Sequence, residues 1–331
     1  MLSLLYYLSY NLTFFLFDFH SFFLIYYFLF VSFLFVKFVN IFLIFGGIFL
    51  DLWIGSFAYG ILLASLLNAP IGFFAYKKEW LEKEAVLIAF FISLIAFLAS
   101  FIFWILLIAF FFSSSALTKW RGKRKKEVAE KFEKTGKRDK YQVIANGFAA
   151  TLMAVFFLIT DGSCFVLGYL AAISTVTGDT WATEIGVFSK EDPRWILNLK
   201  KKVPKGTSGG ISLLGTMAAF TASFFIFSTY FLIDFFGQSF SSISSLENEI
   251  FPIFIAVIIG FFSMMIDSFL GATVQGYYEC KECKVKTEKH VHCGEKTVLI
   301  RGKKRFNNDM VNLSSSMIAV VLALIFSLFL L

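Results

Sequence analysis

Positive charge is distributed along this chain in a way that leaves few folds open. Of its 30 Lys and Arg, all but Lys37 fall in four polar stretches: three in 76–84, eleven in 118–141, six in 184–206 and nine in 276–306. The segments between them are apolar for about the 20 residues that a helix needs to cross a hydrocarbon layer of about 30 Å. Continuous apolar runs lack the alternation that barrel strands require, which excludes a transmembrane β-barrel. Composition agrees. With 58% hydrophobic residues, 47 Phe and only 16% charge, the chain falls well short of the roughly one-quarter charged residues of a soluble domain.

The spans expected from this pattern are 54–75, 85–98, 99–117, 142–160, 163–180, 210–236, 250–273 and 310–331. The unbroken run 85–117 is too long for one ordinary span and is read as two short helices. The first fifty residues, interrupted at Asp18, His20 and Lys37, add two or three more, for about ten or eleven helices without an internal repeat. They show no basic n-region and no small-residue cleavage site, so they do not read as a cleaved signal peptide. The expected fold class is all-α and polytopic. Residues 1–53 form a Phe-rich extension, and 54–331 form the membrane domain that carries the function. The connections near Asp161 and over 237–249 hold acids, Ser and Gly but no Lys or Arg. By the positive-inside rule the four basic loops are cytoplasmic, as expected of a multi-pass cell-membrane protein.

The residues that are costly at such depth are Asp179 with Glu184, Asp267, and Asp309 with Asn307, Asn308 and Asn312. An ionisable group costs about 2.5–3.5 kcal/mol at a helix centre unless it faces protein or water. A lone Asp at a span border reads equally well as a headgroup-layer residue, but several on one side read as a site. In Thr177–Glu184, Asp179 and Thr183 lie one helical turn apart, as do Thr180 and Glu184. Such an oxygen-rich face suits Mg²⁺, which is commonly held by one or two carboxylates together with substrate phosphates. Asp267 with Ser268, and Asp309 with Asn308 and Asn312, could add oxygen ligands from two other helices at the same membrane level.

Opposite charge comes from Lys200–Gly210, which includes Lys202, Lys205, Gly206, Thr207, Ser208, Gly209 and Gly210 just before a span. Glycines let backbone approach a ligand, and free N–H groups at a helix start favour an anion, so this segment reads as a phosphate cradle. The alternative is a flexible turn beside a solvated basic run. It is not a Walker loop, since the spacing is absent and no strand is expected before it. The basic run 121–140 sets topology and attracts anionic headgroups; a loop held against a membrane is not expected to bind nucleic acid. Lys119, Arg138, Gln142 and Asn146 border spans on the same side, with Gln142 and Asn146 on one helical face.

Cys280-x2-Cys283, followed by His290, His292 and Cys293, supplies thiolate and imidazole for a four-coordinate structural zinc site within the loop 277–306. The expected ligands are Cys280, Cys283, Cys293 and one His, taken as His292, although adjacent His and Cys are awkward for one ion. The alternative is a set of reduced thiols. No nucleophile motif is present, and three His in all argue against His-based catalysis.

Seven ordered stretches, covering roughly 55–331, resemble the transmembrane protein 19 family. They are Phe111–Trp120; Gln142-Val143 with Asn146-Gly147; Gly178–Gly186; Pro193-Arg194; Lys202–Gly210; Asp267–Gln275; and Asn307–Ser315. The stretch Trp80–Glu84 departs from the family's small-residue pattern, and residues 1–50 have no counterpart. The Cys-rich loop is similar to that of prokaryotic members, whereas animal members lack it, so zinc is not required for what all members share.

That family includes plant phytyl-phosphate kinases. The resemblance therefore implies a kinase that adds a phosphoryl group from a nucleoside triphosphate, CTP or ATP, to an isoprenyl monophosphate in the membrane. It implies Mg²⁺ on Asp179, Glu184 and Asp267, and nucleotide phosphates on Lys202, Lys205 and the Gly206–Gly210 backbone. Arg194, Asn308, Asp309 and Asn312 would position one of the phosphorylated substrates, and Phe-lined spans would hold the prenyl chain. Two alternatives stand beside it: a cytidylyltransferase acting on a lipid phosphate, and a transporter or lipid translocator. The transporter is disfavoured because the polar groups cluster at one face.

Overall fold

Eight helices alternate with short polar connections in the computed structural model, which describes residues 57–120, 136–238 and 250–329. They are α1 (Phe57–Lys77), α2 (Lys83–Ala99), α3 (Phe101–Trp120), α4 (Lys140–Thr160), α5 (Ser163–Gly186), α6 (Leu213–Gln238), α7 (Ile250–Thr273) and α8 (Asn308–Ser327). All eight expected spans are present as helices. The run 85–117 is indeed two, broken at Ser100, whose extended backbone (φ −163°) ends α2. The further spans expected before residue 51, the basic run 121–135 and the connection 239–249 lie outside the described residues.

Six of these helices are long and apolar enough to cross a membrane. The other two fall short for different reasons. α2 has only 17 residues. α5 has 24 but carries Ser174, Thr175, Thr177, Asp179 and Glu184, because neighbouring helices rather than lipid surround it. It is buried continuously from Leu167 to Gly178 and packs against α3, α4, α6, α7 and α8. Its small residues permit the close backbone approach on which membrane helix packing depends. A Cβ on Gly260 of α7 would stand 2.4 Å from the Ser174 Cβ and 2.7 Å from the Ala171 carbonyl oxygen. Deeper in the same core, Tyr169 stacks on Phe103 at 4.0 Å between centroids and donates to the Phe103 carbonyl at 2.7 Å.

The basic connections gather at one end of the bundle. Glu82 N–H donates to the Arg138 carbonyl and Arg138 N–H to the Trp80 carbonyl, both at 3.0 Å, which joins the α1–α2 and α3–α4 connections. Short strands form in the two longest described connections, an addition to the all-helical expectation. Between α5 and α6, β1 (Arg194–Trp195) is flanked by β2 (Asn198–Lys202) and β3 (Gly210–Ile211). Between α7 and α8, β4 (Tyr277–Glu279) is flanked by β5 (Lys286–Thr287) and β8 (Val298–Arg301), with a hairpin of β6 (Val291–His292) and β7 (Glu295–Lys296) at its tip. A strand does therefore precede the glycine loop, contrary to the expectation. Antiparallel pairing with β1 satisfies backbone groups that an irregular basic run would leave to water.

Candidate active site

The polar end of the bundle holds a cavity of about 250 Å³. α5 supplies Asp179 and Glu184, α7 supplies Asp267, and the first turn of α8 supplies Asn308, Asp309 and Asn312. Gln142 and Asn146 come from α4, Lys205 through Gly209 from the loop before β3, and Gly210 from the start of β3. Most of the residues expected from sequence thus line one space.

Three of the acids have local support. Ser315 donates to Asp267 Oδ2 at 2.8 Å, Thr118 donates to Glu184 Oε1 at 3.2 Å, and Asp309 sits in the first turn of α8, where the helix dipole favours negative charge. Five of the described residues that line the cavity are acids once Glu288 is added, against Arg138 and Lys205 as lining cations. Among the described residues, no three of these carboxylates come within 4.8 Å of one another as the Cys/His group does, so any Mg²⁺ here would take one or two of them and complete its shell with water or phosphate. The donor set fits that ion. Two buried polar atoms in the wall have no partner among the described residues, Asn312 Oδ1 and Gln275 Nε2, as expected where a ligand supplies the missing bonds.

The glycine loop is shaped by two tethers. Lys205 Nζ donates to the Ser189 carbonyl, and at 3.4 Å to the Val187 carbonyl, just past the end of α5, a favourable place for a cation. Gly209 has φ +80°, and a Cβ there would stand 2.4 Å from the Ala272 Cβ and 2.8 Å from its Cα, so only glycine brings the loop this close to α7.

Arg138 connects this cavity to a second space. A largely apolar groove of about 80 Å³ runs among α1, α2, α3 and α4, walled by Ile71, Val86, Ile92, Leu107 and Phe111, and Arg138, Gln142 and Asn146 line both spaces. The Arg138 guanidinium donates to Ser115 Oγ at 3.3 Å and lies 5.7 Å from the Phe110 ring centroid. Burial pulls its pKa down to about 10, opposed by the Glu184 carboxylate, so it stays charged at neutral pH. At the junction Asn312 donates to Asn146 Oδ1 at 3.0 Å. Gln142 also has a structural role, since with Asp139 it forms the capping box that starts α4.

Two expected residues lie elsewhere. Lys202 is exposed on β2, and the Arg194 guanidinium on exposed β1 donates to the Leu199 carbonyl at 2.9 Å. Neither lines the cavity. Their strands direct them outward, which counting residues along a loop does not reveal. Among the lining residues that had no place in the expected site are Thr118, Gln275 and Glu288. The first two belong to the family-like stretches, so that signal reached them. For Glu288 the signal is only its position between two pairs of potential metal ligands.

In the α7–α8 connection, Cys280, Cys283, His292 and Cys293 bring one ligand atom each within 4.8 Å of one another. His290 points elsewhere, 4.6 Å from the Tyr278 ring centroid. The adjacency of His292 and Cys293 is resolved by the hairpin turn, where Cys293 (φ 53°) and Gly294 (φ 79°) are both left-handed, as a tight two-residue hairpin turn requires. Backbone N–H groups of Cys283 and Glu282 hold the Cys280 thiol down at about 6.

Residues 66–320 match the family described as integral membrane protein DUF92. Protein PGR of Arabidopsis thaliana is 29% identical over 287 residues, covering 82% of this chain and 97% of that protein. An uncharacterized membrane protein of Methanocaldococcus jannaschii is 32% identical over 151 residues, 45% of this chain and 61% of that one. Protein VTE6, chloroplastic, of Arabidopsis thaliana is 30% identical over 128 residues, 37% of this chain and 38% of that protein. No solved structure matches significantly. An eight-helix unit with an acid-lined polar end, matched over most of its length, thus belongs to the DUF92 family of integral membrane proteins, the transmembrane protein 19 type.

Proposed function

We propose that this protein is a membrane kinase that transfers the terminal phosphoryl group of a nucleoside triphosphate to an isoprenyl monophosphate of the phytyl or geranylgeranyl kind, giving the diphosphate. The observation that supports this best is that an acid-lined cavity with a glycine loop lies beside an apolar groove, with Arg138, Gln142 and Asn146 lining both. A lipid monophosphate has the same two-part chemistry.

In this reading an oxygen of the acceptor phosphate attacks the γ-phosphorus. A phosphorus–oxygen bond forms, the bond to the bridging oxygen breaks, and nucleoside diphosphate leaves with the electron pair. Phosphoryl transfer of this kind rests on positioning and on neutralising charge, so no protein nucleophile is needed. One or two of Asp179, Glu184 and Asp267 would hold Mg²⁺, with water or phosphate completing its shell, and the bound ion would neutralise charge on the transferring group. Lys205 and the Gly206–Gly210 backbone with Thr207 and Ser208 take the nucleotide phosphates, and Arg138 takes the acceptor phosphate with its chain in the groove. Asn308, Asp309 and Asn312 position the phosphates from α8. Arg194 and Lys202, facing outward, drop out of the reaction. The reading puts this end of the bundle on the cytoplasmic side, where nucleotide is available.

The test is to incubate purified protein in liposomes with Mg²⁺, a panel of nucleoside triphosphates, and phytyl, geranylgeranyl and farnesyl monophosphates. Prenyl diphosphate and nucleoside diphosphate should appear in equal amounts. Pyrophosphate with a nucleotide-linked lipid would replace the kinase by a cytidylyltransferase, and folded protein without turnover would overturn both.

A further inference from the structure

We propose that the α7–α8 connection is a ribbon held by one Zn²⁺ on Cys280, Cys283, His292 and Cys293, and that this ion keeps Glu288 clasped to the glycine loop at the cavity. The metal-binding part stands apart from the kinase reading; the effect of the clasp on nucleotide use rests on it.

The separations among Cys283, His292 and Cys293 are close to those of a tetrahedral site, and Cys280 Sγ lies within 4.8 Å of the other three ligand atoms. With Zn–S near 2.3 Å and Zn–N near 2.1 Å, ligands lie about 3.8 Å apart sulfur to sulfur and about 3.6 Å sulfur to nitrogen. Here Cys283 Sγ and Cys293 Sγ are 3.7 Å apart, and His292 Nδ1 is 3.4 Å from Cys283 Sγ and 3.2 Å from Cys293 Sγ. Three thiolates and an imidazole select zinc over the hard cations suited to the carboxylate cavity. The ribbon also needs such a staple, because its longest strand has four residues and short strands in a small loop bury too little to hold themselves. Its two non-glycine left-handed residues, Lys284 and Cys293, both sit at ligand turns. Lys284 N–H donates to the Cys280 carbonyl at 3.1 Å, closing the turn between the first two ligands.

Glu288 lies between Cys283 and His292, so the ion would fix both ends of the segment that carries it. Thr287 and Glu288 are buried although Lys286 and His290 nearby in sequence are exposed. Ser208 Oγ donates to Glu288 Oε1 at 2.6 Å. From the other edge of the ribbon, Arg301 donates to the Ser208 and Gly271 carbonyls, each at 3.2 Å. The glycine loop is therefore gripped at Ser208 from both sides, and Glu288 acts as a positioning residue.

The experiment uses full-length protein in detergent: wild type, Cys283→Ser, Cys293→Ser and Glu288→Ala, each checked for monodispersity. It measures bound metal by mass spectrometry, tryptic cleavage at Lys205, and the split between nucleotide KM and kcat. Wild type and Glu288→Ala should carry stoichiometric zinc, and the two Cys variants none. The Cys variants, and wild type after chelation, should become cleavable at Lys205 and be protected again by added zinc wherever the ligands are intact. Nucleotide KM should rise roughly tenfold in the Cys and Glu288 variants, the scale of one hydrogen bond to a charged group, with kcat changed less. Folded wild type that takes up no zinc overturns the inference. So does zinc whose removal leaves both cleavage at Lys205 and nucleotide KM unchanged. If the kinase reading fails and there is no turnover, metal content and cleavage at Lys205 still decide.

Discussion

The helix-borne and loop-borne halves of the candidate site were reached from the sequence with different success, and the difference has a physical cause. Asp179, Glu184, Asp267, Asp309, Asn312, Gln142 and Asn146 ride on helices, and every one lines the cavity. Among the residues expected from the connections, Lys205 to Gly210 line it while Lys202 and Arg194 do not, and Glu288 arrives from a loop expected only to bind metal. A helix transmits direction along the chain at 3.6 residues per turn, and a membrane fixes which end of it is which. A loop carries no such rule.

The sharpest way to break this comparison is to remove a helix-borne acid. Asp179→Asn and Asp267→Asn keep shape and lose charge, and each is expected to lower phosphoryl transfer on the order of 10³-fold, the upper range for losing one preorganised electrostatic contact. Mg²⁺ titration under turnover checks it, with the variants requiring more cation than wild type. Unchanged turnover in both would detach the helix-borne acids from the chemistry.

Next in size is Gly209, which both its backbone and its contact with α7 require to be glycine. Gly209→Val adds a side chain to a left-handed residue, which costs about 1–2 kcal/mol before any collision, and its Cβ meets Ala272 at 2.4 Å. The loop must lift off α7, so kcat/KM for nucleotide should fall at least about 30-fold. Thermal unfolding should move little, because the bundle core around Tyr169, Leu170 and Ile173 is untouched.

At the junction between the two spaces, Arg138→Lys keeps the charge and removes the planar fork that grips a phosphate at two points. The KM for prenyl monophosphate should rise roughly tenfold or more, with the nucleotide KM steady. A rise in nucleotide KM alone would assign Arg138 to the donor.

All eight helices and the gathering of polar groups at one end were legible in the sequence, because each rests on a pattern that one chain carries by itself: apolar run length and the placement of Lys and Arg. That 85–117 is two helices followed from length alone, whereas the break itself, expected between 98 and 99, lies at Ser100. What was not legible depends on pairing between distant segments. The pairing of β1 with β2 turns Lys202 and Arg194 outward, and the contact of Ser208 with Glu288 joins residues eighty positions apart. The apolar groove is likewise a gap left where four helices meet, and no local pattern encodes a gap. The Cys/His group was legible as a set of ligands, but the turn that lets His292 and Cys293 face one point had to be seen.

The smallest expected effect bears most directly on the comparison, since it concerns the two basic residues that sequence reasoning placed in the site and the structure places on an outer strand face. Lys202→Ala and Arg194→Ala should each change kcat and either KM by less than about twofold, as exposed substitutions away from special contacts usually do. Arg194 holds the Leu199 carbonyl and Lys202 pairs in register with Arg194 across β1 and β2, so their loss loosens an exposed hairpin and leaves the glycine loop on its own tethers at Lys205 and Ser208. If instead either variant raises nucleotide KM about tenfold, the outer strand must fold over the cavity when nucleotide binds, and the loop-borne half of the site would be larger than the cavity alone indicates. Measuring the same pair at low and high salt separates the two outcomes, because a purely electrostatic attraction of nucleotide to an exposed basic strand fades within a Debye length of about 8 Å at physiological ionic strength, whereas a direct phosphate contact in a closed site is screened much less.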